Sequence, residues 1–348
     1  MTPPKGKNYL GAPVIVNWGL TSKCNFNCAH CFSRGGPGGE LAPEDALKAA
    51  DVLAAARVLF VSFGTGEPLL RPDLFDVASR LKGSGVRVAM NSNGWLLAEP
   101  GTAERARDAG FTSINISIDH PEAGTHDKFR EKKGSHERAL KAAGMVVKSG
   151  IALGISTVVS SLNLGELGRI VELAKRAGAK KLMLHNYKCS GKGYVNRADL
   201  DLEPQLWRKF YAEAIEVRDR EKALELDFDD PIICLLGPAG KKEEAGSIRG
   251  SSCGKVSLYI GPTGDITPCG FMPEVIGNIL KDDFLKVWEE SRFLHRVRNK
   301  VPKGKCVSCV QYESCLGGCT ARALAVSGEV DAPDPHCWHE QDSEELKS

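Results

Sequence analysis

The stretch Thr21-Ser-Lys-Cys24-Asn-Phe-Asn-Cys28-Ala-His-Cys31-Phe32 places three cysteines on one short segment, spaced C-x3-C-x2-C, shortly after an apolar run at 13–18. Three thiolates this close together can bind three corners of a cubane iron–sulfur cluster, and the fourth iron then has no protein ligand. Such an iron can bind a small molecule, as the open position of a catalytic zinc does. The alternatives are a zinc site and three cysteines without a shared function.

The composition of the 348 residues is that of an ordinary globular protein, with 42% hydrophobic and 26% charged residues. The 46 basic residues are nearly balanced by 44 acidic ones, which argues against a nucleic-acid partner. No apolar run is long enough to span a membrane, and residues 1–7 lack the apolar segment of a signal peptide. Twelve cysteines in such a chain favour metal or redox chemistry over disulfides. We therefore expect a cytoplasmic protein without a membrane partner.

Short apolar runs alternate with helical patterns up to about residue 188, which is typical of βα units around a parallel sheet. The predicted strands are 13–18, 58–63, 86–90, 113–118, 152–159 and 181–184. The predicted helices between them include 43–56, 99–109, 135–149 and 164–177. This α/β pattern predicts a partial (β/α)6 barrel, in which functional groups lie at the C-terminal ends of the strands.

The cysteine spacing after an apolar strand resembles the radical S-adenosylmethionine (radical SAM) superfamily. In that family the amino and carboxylate groups of S-adenosylmethionine (AdoMet) chelate the fourth iron. An electron from the cluster then cleaves the sulfonium and yields a 5′-deoxyadenosyl radical. The resemblance implies that Cys24, Cys28 and Cys31 bind a [4Fe–4S] cluster and that AdoMet binds beside it.

The second predicted strand is followed at once by Gly64-Thr65-Gly66-Glu67-Pro68, where the family usually has Gly-Gly-Glu-Pro. Thr65 replaces the family's commoner residue and leaves a backbone role intact. Glycine lets the chain approach a ligand closely, and carbonyl groups at a strand end can accept from an ammonium group. The resemblance implies that residues 64–67 contact AdoMet.

The third and fourth predicted strands end in the polar segments 90–94 (MNSNG) and 115–120 (NISIDH). Both look like family segments whose polar groups face AdoMet, so Asn93, Ser117 and Asp119 are candidate contacts. Side chains alternate along a strand, and Ser117 and Asp119 therefore share one face.

The segment His126-Asp-Lys-Phe-Arg130 resembles a further family segment. Arg130 could bind a carboxylate of AdoMet or of the substrate through two hydrogen bonds. A structural ion-pair and capping cluster is the alternative for Asp119, His126 and Arg130.

Seven cysteines of the C-terminal third form a second pattern, made of Cys253, Cys269, Cys306, Cys309, Cys315, Cys319 and Cys337. This array looks like the SPASM domain, which binds two auxiliary [4Fe–4S] clusters. The resemblance assigns auxiliary cluster I to Cys253, Cys269 and Cys319. It assigns auxiliary cluster II to Cys306, Cys309, Cys315 and Cys337. A zinc ribbon is the alternative for the cysteines from 306 to 319, and it leaves the other three unexplained.

Two cysteines lie outside both patterns. Cluster I lacks a fourth ligand, and Cys234 is the nearest upstream candidate; the other possibility is an iron left open for substrate. Cys189 follows the sixth predicted strand, where a thiol could return a hydrogen atom to a substrate radical. The alternative for Cys189 is a loop thiol without a role.

The predicted organisation places an amphipathic helix, over 200–222, between two modules. The predicted boundaries are an N-terminal tail 1–12, a radical SAM partial barrel 13–199, a bridging helix 200–232, a SPASM domain 233–341 and a C-terminal tail 342–348.

The resemblance implies a maturase of the oxidoreductase type that holds AdoMet and three [4Fe–4S] clusters. It would abstract hydrogen from a peptide or protein side chain, with the auxiliary clusters as electron relay. Sulfatase-maturing members carry an acidic residue immediately after the cysteine equivalent to Cys269. This chain has Gly270 there, which argues against sulfatase maturation. The expected partners are an external electron donor such as flavodoxin or ferredoxin and a separate leader-recognition protein, because only about 12 residues precede the barrel.

Two alternatives remain open from the sequence. The first is the same radical chemistry on a small molecule, either decarboxylation of a tetrapyrrole propionate or dehydrogenation or epimerisation of a sugar or aminocyclitol. The second is a non-catalytic iron–sulfur electron carrier, against which the strand-end segments 64–68 and 115–120 argue.

Overall fold

The computed structural model describes residues 7–33, 38–228, 230–237 and 248–339. Its strands are β1 (Ile15–Trp18), β2 (Phe60–Phe63), β3 (Arg87–Ser92), β4 (Phe111–Ser117), β5 (Ala152–Val158), β6 (Lys181–His185), β7 (Glu225–Phe228), β8 (Ser257–Ile260), β9 (Asp265–Thr267) and β10 (Gly277–Asn278). All of them belong to one sheet, in the order β10-β9-β8-β1-β2-β3-β4-β5-β6-β7.

The helices of the first two-thirds are α1 (Pro43–Ala55), α2 (Leu74–Gly83), α3 (Thr102–Ala109), α4 (Ala123–Arg130), α5 (Ser135–Ser149), α6 (Leu167–Arg176), α7 (Lys192–Val195), α8 (Arg197–Leu200) and α9 (Pro204–Arg220). Those of the last third are α10 (Phe284–Glu290), α11 (Arg292–Arg298), α12 (Tyr312–Cys315) and α13 (Thr320–Ser327). Among the described helices, none combines the length and the apolar composition that a membrane span requires.

Strands β1 to β6 are parallel and lie side by side in chain order, with helices in the connections. One face of these strands packs against helices such as α2 and α5. Its fully buried side chains include Val16, Trp18, Val61, Phe63, Val88, Met90, Ile114, Ile116, Ile155 and Leu182. Right-handed βα repeats with one apolar face produce this arrangement. The predicted partial (β/α)6 barrel is confirmed.

The opposite, inner face of the strands is hydrophilic. Asn91 donates to the Ser62 hydroxyl at 3.1 Å, and Asn115 donates to the Asn91 amide oxygen at 2.9 Å. Gly154 stands opposite Asn115 on the neighbouring strand and leaves space for its side chain, since a Cβ atom on residue 154 would lie 2.0 Å from the Asn115 amide oxygen. The inner face therefore offers polar groups where a closed barrel would hold packed apolar side chains.

Two further strands extend the six-stranded core. β7 pairs in parallel with β6, and β8 pairs in parallel with β1, so that Tyr259 stands opposite Asn17. The sequence pattern did not predict either strand, because four residues are too few to establish a period. The β8–β9 hairpin thereby attaches the cysteine-rich region to the first edge of the barrel.

The amphipathic helix predicted over 200–222 is α9, which begins at Pro204 and ends at Arg220. Trp207, Phe210 and Tyr211 are buried on its apolar face. The short helices α7 and α8 precede it and connect it to the end of β6.

Candidate functional site

The three cysteines of the first motif lie on the loop that follows β1, and their sulfur atoms receive hydrogen bonds. The Phe26 backbone N–H and the Asn93 amide both donate to Cys24 Sγ, at 3.4 and 3.8 Å. Arg130 Nη1 donates to Cys28 Sγ at 3.9 Å. Donors aimed at sulfur favour the thiolate, which is the form that binds iron.

Burial raises the pKa of the Cys28 thiol to about 11, although the neighbouring Arg130 charge acts in the opposite direction. Burial also raises the pKa of Cys24. Metal binding must therefore displace protons from these thiols, as it does at other cysteine sites.

The turn 64–67 packs directly on the cysteine loop. Gly66 has φ +60°, and a Cβ atom there would lie 2.5 Å from the Lys23 carbonyl oxygen. The Glu67 N–H donates to the same carbonyl at 2.8 Å. Thr65 has φ +71°, and its hydroxyl oxygen accepts a hydrogen bond from the Tyr259 hydroxyl at 3.0 Å. Only glycine can occupy position 66, since it avoids both the strain and the clash.

Glu67 lies fully buried behind this turn. Its carboxylate accepts from the Ser92 hydroxyl at 2.9 Å and from the Asn93 N–H at 2.9 Å. Burial raises the pKa of Glu67 to about 7, and these hydrogen bonds act to lower it. Glu67 therefore fixes the end of β3, and Asn93 in turn donates to the Asn25 amide oxygen at 2.8 Å and to Cys24.

Asp119 and Arg130 form a buried ion pair, with Arg130 Nε donating to Asp119 Oδ2 at 2.5 Å. Burial acts to raise the pKa of Asp119, but the charge and hydrogen bond of Arg130, together with His30 and His126, hold the pKa below its usual value. The Val158 N–H donates to the second carboxylate oxygen at 2.9 Å. The ion pair thus fixes the positions of both side chains, and Arg130 connects it to the cysteine loop through its hydrogen bond to Cys28.

Ser117 is half-buried at the end of β4 and pairs in register with Ser156 of β5. Gly64 directly follows β2, and Asn91 Nδ2 lies 3.6 Å from the position that a Cβ atom on Gly64 would take. The roles of Gly64, Thr65, Gly66, Glu67, Asn93, Ser117, Asp119 and Arg130 toward AdoMet remain predictions.

A segment after β6 closes over the cysteine loop, and sequence reasoning did not assign it this role. The Lys192 N–H donates to the Cys31 carbonyl at 2.9 Å, and its ammonium group donates to the Asn27 carbonyl at 2.6 Å. Asn196 donates to the Ala29 carbonyl at 2.7 Å. The signal in the sequence is Gly191, where a Cβ atom would lie 2.8 Å from the Cys31 carbonyl oxygen.

Cys189 lies in the same segment and is 4% exposed. Its thiol donates to Asp201 Oδ2 at 3.3 Å, and His336 Nε2 lies 2.9 Å from the same oxygen. Burial and the Asp201 charge raise the pKa of Cys189 to about 12. The thiol therefore joins the barrel to the cysteine-rich region, and its role as a hydrogen-atom donor remains a prediction.

The three cysteines assigned to cluster I come together near the barrel mouth. Cys253 forms a hydrogen bond with Cys269. This hydrogen bond and burial raise the pKa of Cys269 well above its usual value, and the nearby Cys319 raises that pKa further. The Lys188 ammonium group, from the segment after β6, donates to Cys319 Sγ at 3.6 Å. Cys253 and Cys269 pack with Cys319 in one small apolar cluster.

The four cysteines assigned to cluster II line one pocket, as the pattern predicts: Cys306, Cys309, Cys315 and Cys337. Cys234 lies beside this set and forms a hydrogen bond with Cys315. That hydrogen bond lowers the pKa of Cys315 to about 7. Cys234 also donates to the Pro231 carbonyl at 3.2 Å. Its assignment as a cluster ligand remains a prediction.

A buried charge cluster connects the two cysteine sets. The fully buried Arg322 donates to Asp230 at 2.7 and 2.9 Å and to Asp334 at 2.6 and 2.9 Å. Asp334 also accepts from the Cys319 N–H at 2.6 Å and lines the pocket of the second set. Asp334 and Arg322 therefore fix the position of Cys319, of the first set, relative to the pocket lined by the second set.

Donors aimed at sulfur serve both cysteine patterns, from Asn93 and Arg130 at the first loop and from Lys188 at Cys319. Such donors stabilise thiolates, and thiolates are the ligands of an iron–sulfur cluster, so the cysteine sets fit that group.

Comparisons with known proteins agree with these sites. The model of the radical SAM superfamily matches residues 18–174, and that of the SPASM iron–sulfur cluster-binding domain matches residues 252–317. An AdoMet-dependent heme synthase from Methanosarcina barkeri is 32% identical over 94% of this chain and 96% of its own. Mycofactocin maturase MftC from Mycobacterium tuberculosis is 30% identical over 94% of this chain and 83% of its own.

The fold is shared with SuiB from Streptococcus suis, solved in complex with S-adenosylmethionine. The TM-score is 0.80 at 18% identity, over 96% of this chain and 79% of SuiB. The family matches and the two relatives confirm the predicted enzyme class, and they confirm iron–sulfur clusters and AdoMet as the cofactor types. The chain belongs to the radical SAM superfamily and carries a SPASM iron–sulfur cluster-binding domain.

Proposed function

We propose that this protein is a maturase that abstracts a hydrogen atom from a side chain of a peptide or protein. One observation carries the proposal: the three-cysteine loop follows β1 at the carboxyl end of strands whose inner face is polar. A substrate bound along that face would extend toward the cysteine loop. The relative MftC, a mycofactocin maturase, supports modification of a larger substrate.

The cysteine loop and the turn 64–67 would have different roles in binding the cluster and AdoMet. Cys24, Cys28 and Cys31 would hold a [4Fe–4S] cluster, and the donors from Asn93 and Arg130 would stabilise its thiolates. When bound, the cluster and AdoMet supply the 5′-deoxyadenosyl radical that removes the substrate hydrogen. Gly66 lets the turn 64–67 pack directly on the backbone of the cysteine loop, so that both would border AdoMet.

Three clusters are proposed in all. The contact between Lys188 and Cys319 supports cluster I as the first electron acceptor, because Lys188 belongs to the barrel mouth. The pocket lined by Cys306, Cys309, Cys315 and Cys337 would hold cluster II, from which the electron leaves. A cytoplasmic flavodoxin or ferredoxin would be the external redox partner, and a separate protein would recognise a leader peptide.

A second candidate is the same chemistry on a small molecule. The 32% identity to an AdoMet-dependent heme synthase over nearly its whole length supports a tetrapyrrole propionate as substrate. Lys188 at the barrel mouth could attract such a carboxylate, although it also contacts Cys319 and lies over the Phe271 ring at 5.6 Å.

The test is substrate-dependent cleavage of AdoMet by the anaerobically reconstituted protein. We would compare short precursor peptides encoded beside the gene with propionate-bearing tetrapyrroles, using dithionite as reductant. A peptide that gains a mass change together with one 5′-deoxyadenosine per product supports the maturase. Turnover of the tetrapyrrole alone, with loss of carbon dioxide, supports the second candidate. No 5′-deoxyadenosine with any substrate supports an electron carrier and contradicts both.

A further inference from the structure

A cavity of about 420 Å³ lies between the N-terminal residues 7–9, the loop before β8 and the end of α11. Its lining carries five cationic side chains, namely Lys7, Arg249, Lys255, Arg298 and Lys300. No acidic side chain among the described residues lines it. Converging like charges repel one another, and a concave cationic surface concentrates anions.

Arg298 is the most constrained of these cations. It is 4% exposed, and its Nε donates to the Gly254 carbonyl at 2.7 Å. Its guanidinium group lies over the rings of Tyr9 and Trp288, at 4.1 and 4.4 Å from their centroids. Both outer nitrogens, Nη1 and Nη2, are buried without a hydrogen-bond partner. A guanidinium held this way presents two donors to a pair of oxygen atoms.

Two lysines add charge to the same cavity. The Lys300 ammonium group is also buried without a hydrogen-bond partner. Lys255 is 2% exposed, and its ammonium group donates to the Arg249 carbonyl at 2.8 Å. Arg249 itself is paired with Glu313 at 2.8 Å. Arg298, Lys255 and Lys300 form no ion pair within the described part of the chain, and Asp331 and Asp334 attract Lys300 only from a longer distance. Buried charge without a counter-ion is costly, and an anion would relieve that cost.

We propose that this cavity binds the phosphate group of a small anionic molecule. A single carboxylate would compensate one of the three buried cations, whereas a phosphate dianion compensates two and offers three terminal oxygens. The cations are buried at the base of a concave site, which a small anion can reach and a flat protein surface cannot. A free inorganic anion and the phosphate of a nucleotide share this chemistry. None of the residues proposed to contact AdoMet lines the cavity.

The experiment is isothermal titration of the reconstituted full-length protein with inorganic phosphate, pyrophosphate and AMP, and with acetate as the carboxylate probe. We expect at least one phosphate compound to bind more tightly than acetate. Arg298→Met and Lys300→Met should each weaken that binding at least tenfold. Arg292→Met removes an exposed charge from the same helix and should leave the binding unchanged.

Tighter binding of AMP than of inorganic phosphate or pyrophosphate would identify a nucleotide, and the reverse order would identify a free anion. The proposal is overturned if no phosphate compound binds, if acetate binds as tightly, or if Arg298→Met and Lys300→Met both bind like the wild type. Circular dichroism checks the fold of Arg298→Met, and Lys300→Met serves if that variant does not fold. The heat of binding does not depend on AdoMet cleavage, so this test and that of the proposed function fail independently.

Discussion

Gly66 lies against Thr21 so closely that a Cβ atom on Gly66 would stand 2.6 Å from the Thr21 carbonyl oxygen. Thr21 and Lys23 stand three positions and one position before Cys24, the first cysteine of the loop. The turn proposed to contact AdoMet and the loop proposed to hold the cluster therefore cannot shift independently of each other.

Replacement of Gly66 by alanine should weaken AdoMet binding at least tenfold and leave the auxiliary iron in place. The added methyl group would displace the backbone of the cysteine loop, because that loop offers no flexible side chain to yield. Gly85→Ala is the matched control: Gly85 has φ +82°, and no atom lies within 4 Å of its Cβ position. Equal AdoMet affinity in both variants, measured by equilibrium dialysis, would contradict the proposed location of the AdoMet site.

Arg322→Met should destabilise the protein by about 3–5 kcal/mol at neutral pH, because it leaves two buried carboxylates without their cation. Burial acts to raise the pKa of Asp230, but the Arg322 guanidinium holds that pKa well below its usual range. A carboxyl group with a lowered folded pKa stabilises the fold above its unfolded pKa and loses that contribution as the pH falls through the folded pKa.

In Arg322→Met the sign reverses, since burial alone would then raise the pKa of Asp230. The variant should gain stability relative to the wild type as the pH falls from 7.5 to 5.5. Urea denaturation at both pH values checks this, with the exposed Arg296→Met as control. A difference in the free energy of unfolding that stays constant with pH would contradict the assignment of charge to this cluster.

Cys189→Ala should turn over at nearly the wild-type rate. The thiol is buried against Asp201, so the variant loses one hydrogen bond, worth about 1 kcal/mol of stability. Product analysis in deuterated buffer provides the measurement once a substrate is known. If 5′-deoxyadenosine still forms while product formation and deuterium incorporation stop, Cys189 is instead the hydrogen-atom donor of an epimerisation.

Cys234→Ala distinguishes two roles for this thiol. Because Cys234 hydrogen-bonds to Cys315, we expect the variant to keep about twelve irons, the content of three [4Fe–4S] clusters, and to change the reduction potential of one auxiliary cluster. Iron analysis and a redox titration followed by electron paramagnetic resonance measure the two quantities. A loss of iron would show that Cys234 is itself a cluster ligand, the role that the cysteine pattern predicts for it at cluster I.

Much of the architecture was predictable because the apolar runs of the barrel strands are long enough to carry a period. The six strands of the barrel appear where the runs at 13–18 to 181–184 predict them. β7 and β8 were missed, since each is four residues long and depends on pairing with a distant strand. Local pattern does not encode such long-range pairing.

The site was predictable where chemistry fixes residue type and spacing, as at Cys24, Cys28 and Cys31. The contacts of Lys192 and Asn196 with this loop could not be predicted, because they join residues more than 160 positions apart. The same holds for Arg298, whose cavity is assembled from the N-terminus, the loop before β8 and α11. Such sites depend on tertiary packing and have no local sequence signature.

Cys24, Cys28 and Cys31 are proposed to hold the cluster that cleaves AdoMet. The most direct test is the yield of 5′-deoxyadenosine from AdoMet and dithionite, with the wild type and the variant Cys24→Ala/Cys28→Ala/Cys31→Ala reconstituted in parallel without oxygen. We expect the wild type to form 5′-deoxyadenosine, and the triple variant to form none while it loses about four irons and keeps the auxiliary clusters. Formation of 5′-deoxyadenosine by the triple variant would contradict the account.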